Sequence, residues 1–386
     1  MSYALRRGMR FLALFFAISA GLVPSTASFA GELEDSARVI AGYGAYTGKA
    51  DEAFWRSYSQ EVSNYWREYE RRIGRAMREW GCQELSRADG VTVFYPFAGP
   101  DLPAAYQLFP DADRYVLLSM QRGEPPPRIE ALSSSDLDDY LNSFRRAWKF
   151  YGALGFFRTD DLDAVGKAGG GRPVGVSGAL MAFAVRLGFE VEAIEPIFLD
   201  LNQNDLAPRG NVGAGRDTWD SVRLTLRKDG RRVIVDHVRM DLSNGALSVT
   251  PGPRPWLERI ARNPTLLKAA SHHPQEPEFS IFRNLVVANA PMIVQDETGI
   301  DYARLAENYS VRLYGKFTRP NTSFDQDLQQ SLAVAYRKAQ GVKPLPFRSG
   351  YEKDAGAALQ VALRNGTGWP SGRNCAPVDF ELKAKR

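Results

Sequence analysis

The chain has 386 residues, of which 44% are hydrophobic and 24% charged, with a formal net charge of +4 at pH 7 and two cysteines. This is the balance of a globular protein with a large core, in one big domain or two intimate ones, and it excludes a disordered or low-complexity chain. Nothing in it argues for a nucleic-acid partner. Arg6, Arg7 and Arg10 supply three of the four surplus charges and sit at the extreme N-terminus, so residues 31–386 carry only +1.

Those arginines precede Phe11–Val23, an apolar run of thirteen residues, and then Pro24–Ala30 with small side chains at Ser28 and Ala30. A basic stretch, a short apolar run and a small-residue step are the parts of a cleaved signal peptide. The run is shorter than the roughly 20 residues of a spanning helix. The pattern predicts cleavage after Ala30 and a mature chain that is periplasmic or secreted, without a transmembrane helix. No cysteine follows the run, which argues against a lipid anchor. In an oxidising compartment, Cys82 and Cys375 are expected to form a disulfide that tethers a polar tail, with two buried thiols as the alternative.

Residues 51–85 read as one long helix. Trp55, Tyr58, Val62, Tyr65, Tyr69, Ile73, Met77 and Trp80 recur at steps of three and four. Next comes a βαβ-like unit. Gly90–Pro96 is a strand, Ala98–Asp101 a turn, Leu102–Phe109 a short helix with Pro103 in its first turn, and Arg114–Met120 a second strand. Gly123–Pro127 is a stiff linker. Ser135–Leu154 is a helix capped by Ser135, Gly169–Gly171 a turn, Val176–Leu187 a helix ended by Gly188, and Phe189–Leu199 a strand. Val222–Leu226 and Val233–Val238 alternate around Lys228-Asp229-Gly230, a hairpin signal. Helical patterns cover 255–271, 278–294, 301–313 and 324–339. The expected fold is α/β: a central mixed sheet with flanking helices, a long N-terminal aromatic helix and a helical C-terminal half. Residues 31–90 form a helical segment packed on a single large α/β domain, 91–386, with room for a sub-boundary near 200–215.

Metalloprotease, nucleophile-elbow, dithiol and phosphate-loop motifs are absent, so no cofactor and no metal are expected. His272 and His273 are adjacent and point to different sides of any regular helix, and hydrogen-bonding or exposed roles outweigh metal ligation for them; His237 or Asp241 could supply a third ligand, but spacing gives that no support. Asp296 and Glu297 follow an apolar segment. They are candidates for a proton donor and base; equally, Asp296 or Thr298 turns the chain and Asp301 caps the next helix. Tyr95 ends a strand, and Pro96–Asp101 follows it, where α/β sheets bind ligands; Asp101 is also a helix cap. Arg158, after Phe156-Phe157, is a candidate anion contact, and Tyr95, Arg158 and His272 are the candidate ligand-binding residues.

Several stretches together carry a resemblance. They are Thr92–Asp101 (TVFYPFAGPD) with Leu108–Ala112 and Tyr115–Leu117, Gly155–Thr159 (GFFRT), Leu267–Ser271 with Phe279–Arg283, Gln295–Ile300 (QDETGI), Leu313–Gly315 and Pro344–Phe347. In these the chain resembles an uncharacterised family of bacterial secreted or lipoprotein-like proteins over most of its mature length. The resemblance implies no activity and transfers no catalytic residue. More faintly, the first strand–turn–helix–strand is similar to the opening βαβ of methyltransferase-like Rossmann folds. The glycine loop is reduced to Gly99, and Gln121 stands where a cofactor-binding acid would end the second strand. That likeness therefore implies a degenerate, non-catalytic version.

Three functions fit. The first is a periplasmic binding or envelope-associated accessory module for a small ligand or an envelope component. The second is a hydrolase of an envelope glycan or ester that uses Asp296 and Glu297 as acid and base, with Asp101 or Arg158 orienting substrate. The third is a structural partner that docks through the aromatic helix, which requires Trp55, Tyr58 and Trp66 to be exposed.

Overall fold

The computed structural model describes residues 26–43, 50–85, 90–125, 129–156, 175–210, 219–318, 329–351 and 357–369. Ten strands form one sheet: β1 Thr92–Tyr95, β2 Arg114–Ser119, β3 Glu190–Asp200, β4 Asp205–Pro208, β5 Ser221–Lys228, β6 Arg231–Arg239, β7 Thr265–Leu267, β8 Met292–Asp296, β9 Tyr309–Tyr314 and β10 Leu359–Arg364. Their order is β4-β3-β5-β6-β2-β1-β7-β8-β10-β9. The five central strands, β6 to β8, run parallel, and antiparallel pairs extend the sheet on both sides. The fold is thus α/β with a mixed sheet, and strands on both sides of 200–215 belong to it.

Parallel strands covered on both faces read as nearly continuous apolar runs. β1 and β2 do so, and the pleat sends Val93, Tyr95, Tyr115 and Leu117 into one core and Phe94, Val116 and Leu118 into the other. The first core lies under α1 (Thr26–Ile40), α2 (Glu52–Tyr69), α3 (Arg75–Glu84), α4 (Leu102–Leu108), α5 (Ser134–Leu154) and α6 (Val176–Arg186). The second lies under α7 (Asn244–Leu247), α8 (Arg254–Ile260) and α9 (Ser280–Asn289). Helices α10 (Tyr302–Asn308) and α11 (Gln330–Lys338) flank β9. Among the described residues, no helix is long and apolar enough to cross a membrane.

The aromatic helix runs continuously from α2 to α3 through a π-helical turn, Glu70–Gly74. The extra residue in that turn brings Glu70 round to Gln107 and Arg78, at 2.8 and 3.1 Å. Its stripe is core: Trp66 meets Trp148 edge-on at 6.0 Å, and Tyr69 meets Tyr151 at 5.1 Å. Trp55, Tyr58 and Trp66 are 6%, 0% and 6% exposed, so docking through an exposed aromatic helix is overturned. Cys82 lies in α3; Cys375 and Arg158 lie outside the described residues, as do Met1–Ser25.

Other expectations need adjustment. Ser133, not Ser135, caps α5, because its hydroxyl accepts from Asp136 N at 3.2 Å. The helical patterns at 255–271, 278–294 and 301–313 are shorter helices, each followed by a strand: α8 then β7, α9 then β8, α10 then β9. Pro264 and Pro291 stand at the first two changes, and the residue before proline disfavours helical backbone.

Gly155 ends α5 with φ +74°, and a Cβ there would sit 2.8 Å from Ile73 Cδ1. Gly210 has φ +62° with nothing near. Gly155→Ala should therefore cost about 2–3 kcal/mol and Gly210→Ala only about 1 kcal/mol, since backbone strain is common to both and overpacking is not. Urea midpoints check this, and equal losses would show that the Ile73 contact yields freely.

Candidate functional site

From the adjacent parallel strands β1 and β7 the chain departs in opposite directions. β1 leads through α4, on the first core, to β2; β7 leads through α9, on the second core, to β8. In open α/β sheets the crevice outside such a reversal, at the carboxyl ends of the two strands, is where ligands bind. The ends of β1, β7 and β8 place Tyr95, Lys268 and Asp296 side by side.

Asp101 caps α4 and lies at the centre of one cluster. Its Oδ1 accepts from Tyr151 Oη at 2.7 Å and from Ala104 N at 3.4 Å. Its Oδ2 accepts from Tyr95 Oη at 2.8 Å and from Lys268 Nζ at 3.3 Å. Lys268 Nζ also donates to Gly155 O at 2.7 Å and lies 5.4 Å from the centre of the Phe156 ring. Asp101 and Lys268 are each only 3% exposed. Burial, and then the charge of Asp101, hold the Tyr95 and Tyr151 phenols well above their usual range, so both are fixed as hydrogen donors.

The next residue along begins a strained loop. Ala269, Ser271 and His272 have φ of +51°, +52° and +65°, a region costing non-glycine residues about 1–2 kcal/mol each. Asp296 secures the loop from the end of β8. Its Oδ2 accepts from Ala269 N at 2.6 Å, and its Oδ1 from Thr298 N at 2.9 Å and Thr298 Oγ1 at 2.5 Å. Thr298 Oγ1 in turn accepts from Ala270 N at 2.8 Å. Burial raises the Asp296 carboxyl above the usual carboxylate range, against the lowering effect of these donors and of Lys268.

Glu297 points elsewhere. Its Oε1 accepts from Tyr351 N at 2.9 Å, and a Cβ on Gly350 would fall 2.3 Å from both its carboxylate oxygens. Tyr351 Oη shares a hydrogen bond of 2.8 Å with Ser271 Oγ and its ring meets Phe156 at 5.1 Å. His272 is 3% exposed, and burial lowers its imidazole below the ordinary value. Beside it a half-buried aromatic rim opens on the second face: Phe97, in the left-handed region at φ +59°, meets His273 at 5.4 Å and Phe279 at 5.8 Å.

The structure therefore brings Tyr95, Asp101, Asp296, Glu297 and His272 together at the carboxyl ends of the central strands. Lys268, Tyr151 and Tyr351 join them without having been singled out in the sequence, as does Thr298, noted there only as a turn residue. Among the described residues no three His, Cys, Asp or Glu side chains are grouped as a metal would need.

A second polar pair lies further along the same row of strand ends. Ser119 Oγ, at the end of β2, is 2.7 Å from His237 Nε2 on β6. The spacing is that of a nucleophile and base, but among the described residues His237 Nδ1 is buried without a partner. The neighbouring Asp236 turns to the other face, to Arg114 and Arg223. With no acceptor to hold a proton on Nδ1, the arrangement favours the tautomer in which Nε2–H donates to Ser119, which leaves the serine unactivated. Comparison with family models, with curated proteins and with solved structures gave no match to this chain.

Proposed function

We propose that this chain is an exported binding or envelope-associated accessory module, with Cys82 and Cys375 joined, and that its ligand enters the β1–β7 crevice over Phe97, His273 and Phe279. The observation that carries this reading is the commitment of the carboxylates. Both oxygens of Asp296 and both of Asp101 already accept internal hydrogen bonds. An acid or base in catalysis must exchange a proton with substrate, whereas these groups hold a loop and a helix start in place. Half-buried rings beside a rigid polar floor suit binding without turnover. The raised carboxyl of Asp296 is the one feature that favours the hydrolase reading instead.

One experiment separates them. The protein is purified from its host and examined by native mass spectrometry, then assayed on envelope glycans and esters. The expected result is a retained molecule that a His273→Ala/Phe279→Ala variant loses. No turnover is expected, and Asp296→Asn should cost about 1–3 kcal/mol of stability through weakened loop bonds. Hydrolysis that falls by about a hundredfold or more in Asp296→Asn would establish the enzyme reading in its place.

A further inference from the structure

At the opposite end of the sheet from β4, the outer edge of β9 meets α10 and α11 in a cavity of about 670 Å³. This is three strands from β7 and independent of the crevice. Clefts that hold ligands span about 300–1,000 Å³. Its apolar lining includes Val311, Leu313 and Val334, the last 37% exposed.

The polar groups here are those of a strand. β9 pairs with β10 through all of Tyr309–Tyr314. On the other side, Lys343 N donates to Leu313 O at 3.1 Å, and Gly315 N to Lys343 O at 2.8 Å. Leu313 and Gly315 thus turn their backbone groups away from β10, and the two-residue alternation turns those of Val311 the same way. The Lys343 segment covers only the end of the edge. Among the described residues no backbone partner takes Val311 N–H, Val311 C=O or Leu313 N–H on that side. Donors and acceptors at strand spacing are matched by another extended backbone, and a groove between an edge strand and a helix is where added strands dock.

The charge names the partner. Among the described residues, Arg312, Lys338 and Lys343 line the groove, and no acid does. Glu84 lies 2.7 Å from Lys343 and 3.9 Å from Arg312, one negative charge against two positive ones. Lys338 adds another positive charge and makes no ion pair among the described residues. A second copy of this chain docking by the same edge would set these cations against themselves, which disfavours self-association.

We propose that the β9–α11 groove binds an extended acidic peptide segment of a partner protein by strand addition to β9. The test uses the full mature chain and three labelled pentapeptides in fluorescence anisotropy: Glu-Val-Glu-Val-Glu, its backbone N-methylated form, and Lys-Val-Lys-Val-Lys. The acidic peptide should bind with a dissociation constant on the order of 0.1 mM, and more weakly as salt rises. Lys338→Glu, on an exposed helix position, should weaken it about fivefold or more, and the N-methylated and basic peptides should not bind. Val311→Pro should abolish binding; if that variant fails to fold, the N-methylated peptide tests the same hydrogen bonds from the other side. Absence of binding below about 1 mM, equal binding of the N-methylated or basic peptide, or an unchanged affinity in Lys338→Glu each overturns the proposal.

Discussion

Lys268→Met should destabilise the protein by about 3–5 kcal/mol, the cost typical of removing one partner from a buried ion pair. Methionine fills much of the space of the lysine stem, so the loss is electrostatic rather than a cavity effect. It leaves the Asp101 carboxylate 3% exposed, with two phenols and one amide donor but no cation. It also leaves Gly155 O, at the end of α5, without its Nζ donor. Asp101→Asn alone should be costly for the converse reason. In Asp101→Asn/Lys268→Met neither charge of the pair remains buried, and the two losses should fail to add by about 1–3 kcal/mol. Chemical denaturation of the four proteins gives the cycle. A Lys268→Met loss within about 0.5 kcal/mol of zero, the range of an ordinary surface change, would mean that the pair is solvated and the crevice open to water.

Much of this fold is legible in local patterning. The β1–α4–β2 unit, the β5–β6 hairpin with Asp229 and Gly230 at positive φ, and the core stripe of the aromatic helix all follow from periodicity and turn chemistry. β7 is not legible in the same way. Its three residues, Thr265–Leu267, extend the apolar spacing begun by Trp256, Leu257 and Ile260, and a three-residue strand has no period of its own. The punctuation at Asn263-Pro264 marks the change, and weighting it above the spacing separates helix from strand. β9 carries no such mark, because Tyr309 follows α10 directly.

The site shows the same division. Asp101, Tyr95, Asp296, Glu297 and His272 each attract notice from their place beside strand ends or turns. Their convergence does not, because it depends on strand order: Lys268 and Asp101 are 167 residues apart in sequence and meet only because β7 lies beside β1. Lys268 itself hides inside what looks like a helix. Placed at the end of a strand, a lysine after Leu266-Leu267 becomes a charge at the mouth of an α/β sheet, the position from which side chains face a ligand crevice. The local signals that are legible, caps and turns, are also the ones that commit the carboxylates of Asp101 and Asp296 to structure.

Acid should expose the second buried group. Burial alone pushes the His237 imidazole down to about 3 from its ordinary 6.5, with no charged neighbour contributing. The unfolded chain takes up this proton near pH 6.5 and the folded chain only near pH 3, so the folded state binds fewer protons throughout that interval. Stability attributable to this residue is therefore complete above pH 6.5 and is lost as the pH falls toward 3, by up to about 1.4 kcal/mol per pH unit and about 3 kcal/mol by pH 4. Asp296 works in the other sense: its raised pKa gives a contribution present below 3.8 and lost as pH rises through the folded value. A comparison of the native protein with His237→Gln cancels that term. Glutamine keeps a donor near Ser119 without titrating. At pH 7 the variant should be the less stable by about 1 kcal/mol, the worth of one imperfectly replaced hydrogen bond. By pH 4 it should be the more stable by about 2 kcal/mol, so that the two stability curves cross between those limits. Curves that stay parallel from pH 7 to about pH 4 would place His237 in contact with water.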